Sequence, residues 1–502
     1  MSLALVSRAA SHPDRIAIAD HAGEHTYREL LEASNRAART FLDSRTELAE
    51  ERVAVFVPPS FEHVAVQWGI WRAGGVAVPL ALSHPDPELE YVIRDSGASL
   101  VVVDPASEPR IARVTQRVGV PLLTTTQALS GRAESPSRRD AETPRRAMIV
   151  YTSGTTGKPK GVVSTHANLE AQITALIEAW EWGAADRILL VLPLHHVHGI
   201  VNVVSCALWA GAVCEVLPRF DPEETWRRIA AGRLTLFMAV PTIYQRLIGA
   251  WKAADPASRE RMTAGCRRMR LMVSGSAALP VSVLEEWREI SGHTLLERYG
   301  MTELGMALSN PLHGERRPGF VGTPLPRVEV RLVDESGREV PEGMPGQIEV
   351  RGPNVFLEYW NRLEETRNAF RDGWFKTGDT AVREAGSYRI LGRSSVDIIK
   401  TGGYKVSALE IEEELRAHPA ISECAVVGLP DHDLGERIAV AVVLRDGAAL
   451  SLDELRDWAR ARLAPYKLPR MLNSTAALPR NAMGKVVKPE VAKLFEDSRF
   501  SD

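Results

Sequence analysis

Between residues 25 and 150, short apolar runs alternate with stretches whose apolar residues recur at helical spacing. Residues 53–57 (VAVFV), Val76–Pro79 (VAVP) and Leu100–Val103 (LVVV) predict parallel strands buried on both faces. Residues 62–72 and 88–94 predict the helices between them, and that rhythm predicts an α/β sheet. The alternation continues through 148–309, with strands predicted at 148–151, 188–192, 236–240 and 270–273. From 328 to 350 it gives way to apolar–polar alternation with turn signals (DESG, PEGMPG), which predicts an antiparallel β subdomain. Residues 131–146, rich in Ser, Pro and Arg, predict a linker or exposed loop. Beyond Gly392 a compact region has its own helix (408–417) and strands (423–427, 438–444). The expected organisation is a large N-terminal α/β domain with a β subdomain, residues 1–394, and a small α+β domain, residues 395–502. The longest apolar run, 201–217, is interrupted by Asn202 and falls short of the ~20 residues that span a bilayer.

Composition narrows the function classes. The chain has 502 residues, long enough for two or three domains. Its 61 basic and 64 acidic residues leave a net charge of -3, which gives no electrostatic reason to bind nucleic acid or an anionic membrane. The four cysteines are scattered, so neither a disulfide scaffold nor a cysteine zinc site is expected. The N-terminal apolar run is too short for a signal peptide, so a cytoplasmic enzyme is expected. Ten of the 61 basic residues are lysines, yet Lys158, Lys160, Lys400, Lys405 and Lys485 all sit in glycine-rich neighbourhoods.

The segment Tyr151-Thr-Ser-Gly-Thr-Thr-Gly-Lys-Pro-Lys-Gly161 explains why lysine is kept there. Glycines let backbone N–H groups approach phosphate oxygens, hydroxyls donate further bonds and lysines supply charge. It is not a P-loop of the Walker type. Two residues, not four, separate Gly154 from Gly157, and Pro159 follows Lys158.

With this loop in place, six further motifs follow in order: Leu192-Pro-Leu-His-His-Val-His-Gly199, Ser274-Gly-Ser-Ala-Ala278, Glu297-Arg-Tyr-Gly-Met-Thr-Glu303, Phe375-Lys-Thr-Gly-Asp379, Gly392-Arg393 with Thr401-Gly-Gly-Tyr-Lys405, and Pro479-Arg-Asn-Ala-Met-Gly-Lys485. Over residues 15–495 the chain resembles the adenylate-forming acyl-CoA synthetases, relatives of luciferases and peptide-synthetase adenylation domains. The resemblance implies ATP, Mg²⁺ and coenzyme A: a carboxylate attacks the α-phosphate of ATP, and the CoA thiol then displaces AMP. It implies that Thr152, Ser153, Gly154, Thr155, Thr156, Gly157 and Lys158 hold phosphates. Ser276, Ala277, Glu297, Tyr299 and Gly300 line the adenine site, Thr302 meets phosphate oxygens and Glu303 holds Mg²⁺. Asp379 and Arg393 grip the ribose. Lys485 bridges the attacking carboxylate and the α-phosphate. His196, Val197, Ser274, Gly275 and Met306 shape the acyl pocket, with His196 between it and the thiol tunnel. Family members rotate the small domain after adenylation and present a loop, here Thr401, Gly402, Gly403 and Tyr404, to CoA. Eight residues separate Arg393 from Gly402, where many relatives have seven, so the pivot near Ser395–Val396 stays open.

Arg298 points to the acid. It immediately precedes Tyr299 and should face the acyl pocket, and a buried guanidinium needs an anion. Malonyl-CoA synthetases of this superfamily carry arginine there, against the distal carboxylate of malonate, and Arg246 matches a second arginine of several members. Sequences 240–244, 272–280, 295–307 and 396–409 are similar to malonyl- and methylmalonyl-CoA ligases. The expected reaction is ligation of malonate, with methylmalonate left open, to CoA; a short- or medium-chain monocarboxylate is the alternative. An Arg298 pair with Glu297 or another acid would favour that alternative. Small-molecule substrates are expected, with no nucleic acid, membrane or obligatory protein partner.

Overall fold

The computed structural model describes residues 4–132, 145–152, 159–480 and 486–495, apart from the Lys405 side chain. The first half of the chain builds two sheets. One has nine strands, in the order Thr323–Pro324, Gly305–Ser309, Leu296–Met301, Leu271–Ser274, Leu236–Ala239, Arg187–Leu190, Val213–Val216, Ile16–Asp20 and Gly23–Thr26. Its centre is parallel from Leu296–Met301 to Ile16–Asp20. The other has seven strands, in the order Glu358–Tyr359, Lys160–Thr165, Arg146–Thr152, Val76–Pro79, Arg52–Phe56, Leu100–Val103 and Leu122–Thr124. Helices cover these sheets, which is why their central strands read as unbroken Val/Ala/Leu runs. Many helices start on a side chain that caps a free N–H: Thr26, Ser60, Thr165 and Asp221 each accept a bond three residues on.

The antiparallel β subdomain pairs Glu329–Val333 with Gly346–Arg351, then Trp374–Glu384 with Ser387–Arg393. After it comes a separate five-stranded sheet. It contains Ile398–Thr401, Tyr404–Ser407, Ile421–Asp431, Gly435–Leu444 and Met471–Ser474, with helices Ala408–Arg416 and Leu452–Arg460 on one hydrophobic face. A second apolar cluster, including Leu478, Val491 and Phe495, covers the other face. One hydrogen bond between this unit and the larger body runs from the Val281 N–H to Glu413 Oε1, 2.9 Å, across the start of the helix Val281–Ser291.

The apolar run 201–217 does not form one element. It begins inside a π-helix, His198–Ser205, passes through the helix Cys206–Ala210 and ends in the buried strand Val213–Val216. Most of the predicted linker, residues 133–144, lies outside the described residues.

Candidate active site

Two of the motifs lie at the carboxyl ends of neighbouring parallel strands, where α/β sheets place ligands. Ser274 closes Leu271–Ser274, and Glu297 to Gly300 lie in Leu296–Met301. Thr302 and Glu303, both buried, sit in the turn into Gly305–Ser309. Close packing fixes that hairpin: a Cβ on Gly300 would sit 2.0 Å from the Gly305 carbonyl oxygen and 2.6 Å from Met306 Cε.

On one side a polar cluster forms around Asp379. The Tyr299 hydroxyl donates to Asp379 Oδ2 (2.6 Å) and Arg393 Nε donates to Oδ1 (3.1 Å). Asp379 and Arg393 face each other across an antiparallel pair, so sheet register sets their distance. Arg393 also donates to the Thr377 carbonyl (3.2 Å), and the Asp379 N–H donates to Thr377 Oγ1 (3.1 Å). Each oxygen of Asp379 has one protein donor, which leaves acceptor capacity for two hydroxyls. The Tyr359 hydroxyl donates to Glu303 Oε1 (3.0 Å). Burial pushes the Glu303 carboxyl up, an environment that a divalent cation would reverse.

Thr152 ends the strand Arg146–Thr152 that leads into the phosphate loop. One helix, Asp86–Ser96, ties both flanks of that loop. Asp95 Oδ2 accepts from the Tyr151 hydroxyl (2.8 Å), and the Tyr91 hydroxyl donates to the Pro159 carbonyl (2.8 Å). Ser153, Gly154, Thr155, Thr156, Gly157 and Lys158 lie outside the described residues, as does Lys485. Arg480 and Val486, which flank the lysine segment, pair as an antiparallel bridge.

On the other side lies Arg298. Successive strand residues face opposite ways, so Glu297 and Arg298 part company. Glu297 accepts from the Gly319 N–H (3.2 Å), and burial pushes its carboxyl up to about 8. It is therefore no anion for Arg298 at neutral pH. Arg298 is 3% exposed, and burial alone pulls its pKa down to about 9. Among the described residues no carboxylate pairs with it; one weak bond runs from Nη2 to Ser276 Oγ (3.4 Å), and Nε has no partner. Gly275 makes the room: a Cβ there would lie 2.6 Å from Arg298 Cζ. Ser276, at φ 69°, turns its hydroxyl towards His198 Nδ1 (3.2 Å) as well. Ser276 thus lies between Arg298 and His198, and Ala277 follows it, exposed.

Val197, Ser274 and Met306 are buried, and His196 is half-buried with its ring 5.0 Å from that of His195. Burial, and then His196, drives His195 down to about 3, so it stays neutral. Arg246 stands apart. It is exposed, its guanidinium lies 5.0 Å over the Phe220 ring, and among the described residues it makes no ion pair. The structure does not bring it into contact with Arg298. In the smaller sheet, Thr401 and Tyr404 face each other across a two-residue turn in which Gly402 and Gly403 have φ of 56° and 83°. Both positive values belong to the tight hairpin turn that glycine pairs favour.

Sequence reasoning missed Tyr359, Tyr91 and Asp95, which hold the site's parts without belonging to a motif. It noted Asn202 as a break in an apolar run; the structure shows that residue buried in the π-helix that starts at His198.

The family model of the AMP-binding enzymes matches residues 5–360, and that of the AMP-binding enzyme C-terminal domain matches 410–485. The mitochondrial malonate–CoA ligase ACSF3 of Mus musculus is 49% identical, over 98% of this chain and 90% of its own. The crystal structure of ATP-bound MatB from Rhodopseudomonas palustris is 36% identical, with a TM-score of 0.91 over 99% of this chain and 100% of that one. The apo structure of the same MatB, at the same identity and coverage, gives 0.81. In sequence, sheet order and site, the chain belongs to the AMP-binding enzyme family, the AMP-forming acyl-CoA ligases.

Proposed function

We propose that the chain joins malonate to coenzyme A at the expense of ATP. One malonate carboxylate attacks the α-phosphorus, the bond to pyrophosphate breaks, and malonyl-AMP forms. The CoA sulfur then attacks the acyl carbon and AMP departs. The observation that carries the acid assignment is Arg298: a guanidinium buried beside Gly275 with no carboxylate partner among the described residues. Burying a lone charge is costly, and the distal carboxylate of a dicarboxylic acid would neutralise it with two-pronged geometry. Malonate–CoA ligases among the relatives support the same acid.

In this reading Asp379 and Arg393 hold the ribose, and Tyr299, pinned to Asp379 by its hydroxyl, lays its ring against adenine. Glu303 fits Mg²⁺, a hard cation that takes one or two carboxylates plus phosphate oxygens; bound there, it would neutralise phosphate charge. Thr302 meets the phosphates and Lys485 the carboxylate at the α-phosphate. His196 borders the path of the thiol, and Thr401, Gly402, Gly403 and Tyr404 form the loop that meets it. Whether Arg246 swings from Phe220 to the acid is open to the same test as Arg298.

The domain boundary falls at 394/395 in this account, and the contacts favour a narrow pivot. The Ser394 N–H donates to the Gly378 carbonyl (2.9 Å) and its hydroxyl meets Thr380 Oγ1 (2.9 Å), which ties it to the larger body. Asp397 meets both bodies: Lys488 Nζ lies 3.2 Å from its Oδ1 and the Ala408 N–H donates to its carbonyl (2.7 Å), while the Arg393 N–H donates to its Oδ2 (3.0 Å). Ser395 and Val396 remain between them. Cytoplasmic location rests on the N-terminal sequence alone. The mouse relative is mitochondrial by name, while in this chain no helix among the described residues is long and apolar enough to cross a membrane.

The test of the acid assignment is Arg298→Ala. Loss of a buried charge partner costs about 2–5 kcal/mol, so kcat/KM for malonate should fall roughly 10²-fold or more. Unchanged malonate turnover would remove the assignment.

A further inference from the structure

Residues 354–359 belong to none of the sequence motifs, but they hold the turn around Glu303 at three points. The Asn354 amide donates to the Leu304 carbonyl (2.7 Å) and the Phe356 N–H to the Glu303 carbonyl (2.7 Å). The third bond is that of the Tyr359 hydroxyl to Glu303 Oε1 (3.0 Å). The same segment is fastened to the strand that leaves the phosphate loop. Glu358–Tyr359 pairs antiparallel with Lys160–Thr165, and Tyr359 stands opposite Val162. The Leu357 N–H donates to the Val163 carbonyl (2.9 Å) and the Trp360 N–H to the Gly161 carbonyl (2.8 Å). Lys160 Nζ lies 5.4 Å over the Tyr359 ring. One tyrosine thus ties the Glu303 side chain to the far flank of the phosphate loop.

The two bonds to carbonyls hold the backbone of the turn. The hydroxyl acts on the carboxylate alone. A glutamate side chain has rotamers to lose, and a bond to Oε1 selects among them. It takes one of about four acceptor positions and leaves the others for a cation. Mg²⁺ demands near-octahedral ligands at about 2.0–2.1 Å, so it gains from a carboxylate that does not swing.

We infer that Tyr359 is a positioning residue for the cation. Its hydroxyl holds the Glu303 carboxylate in one orientation relative to the strand that leaves the phosphate loop. This rests on the reading of Glu303 as the Mg²⁺ ligand and is independent of which acid is used.

The experiment is calorimetry on Tyr359→Phe, which keeps the ring, packed 4.7 Å from that of Phe356, and removes the hydroxyl. Binding of a non-hydrolysable ATP analogue is measured with Mg²⁺ and again with EDTA, and the ratio of the two affinities isolates the cation. Removing a hydrogen-bond partner of a ligating group costs about 10–100-fold in metal affinity, so the ratio should fall about tenfold or more, with metal-free binding unchanged. The Mg²⁺ concentration that half-saturates ATP–pyrophosphate exchange should rise in step. Equal losses with and without Mg²⁺, together with a lower melting temperature, make Tyr359 a packing residue and overturn the inference. Glu303→Gln in the same titrations separates the inference from the reading beneath it. A lowered ratio there with a wild-type ratio in Tyr359→Phe keeps Glu303 as the ligand and strikes the inference. A wild-type ratio in Glu303→Gln removes the reading, and the inference with it.

Discussion

At the scale of single residues, two neighbours on one strand are buried in opposite electrostatic states. Arg298 is a cation without a counter-ion among the described residues, and Glu297 is an acid held neutral by burial. The second makes a pH signature. Below about pH 4.5 the Glu297 carboxyl is protonated in both the folded and the unfolded chain. As pH rises from there to about 8, the unfolded chain releases the proton while the folded chain keeps it. Its contribution to stability therefore falls across that window, with a slope approaching about 1.4 kcal/mol per pH unit. Thermal denaturation should find Glu297→Gln close to the wild type at pH 5 and clearly more stable at pH 8; equal stability at both would mean that Glu297 is ionised in the folded chain. The sequence suggests that Arg298 faces the acyl pocket from its place immediately before Tyr299, and the structure shows it buried beside Gly275. The state of Glu297 was not legible there, since it is set by burial in the folded chain acting against the N–H bonds of Gly319 and Leu279, residues distant in sequence.

Among elements, the strands that are buried on both faces were the most legible. Val76–Pro79 and Leu100–Val103 have the ends that their apolar runs predict. Helix 88–94 gained two residues at each end, Asp86–Ser96, because Pro at the start and Gly97 in the left-handed region after it set the limits. The π-helix had no such signal: its core residues Ile200, Val201, Val203 and Val204 are apolar in any helical register. The pivot was legible only as a region. The pivot proposed at Ser395–Val396 lies between Ser394, held on Gly378, and Asp397, which meets both Arg393 and Lys488. A proline fixes φ, so Ser395→Pro should spare ATP–pyrophosphate exchange with malonate and slow thioester formation by about tenfold or more. Equal losses in both half-reactions would place the moving bond elsewhere.

For the whole molecule, the Val281–Glu413 bond joins the smaller body to the larger one. Under the proposed function, two-body construction would divide the work: the larger body would hold nucleotide and acid, and the smaller body would carry Lys485 and the glycine hairpin to them in turn. Motif order suggests this division, whereas the acid assignment depends on the surroundings of one arginine. The central claim is that the substrate supplies the anion Arg298 lacks. CoA-dependent AMP formation, with ATP and Mg²⁺ and with malonate, methylmalonate, succinate, acetate and octanoate in parallel, tests it most directly. Malonate should lead the monocarboxylates by roughly 10⁴-fold, as expected of a site whose buried polar groups need the second carboxylate. Acetate or octanoate in the lead would contradict the claim and mean that Arg298 is neutralised by the protein itself.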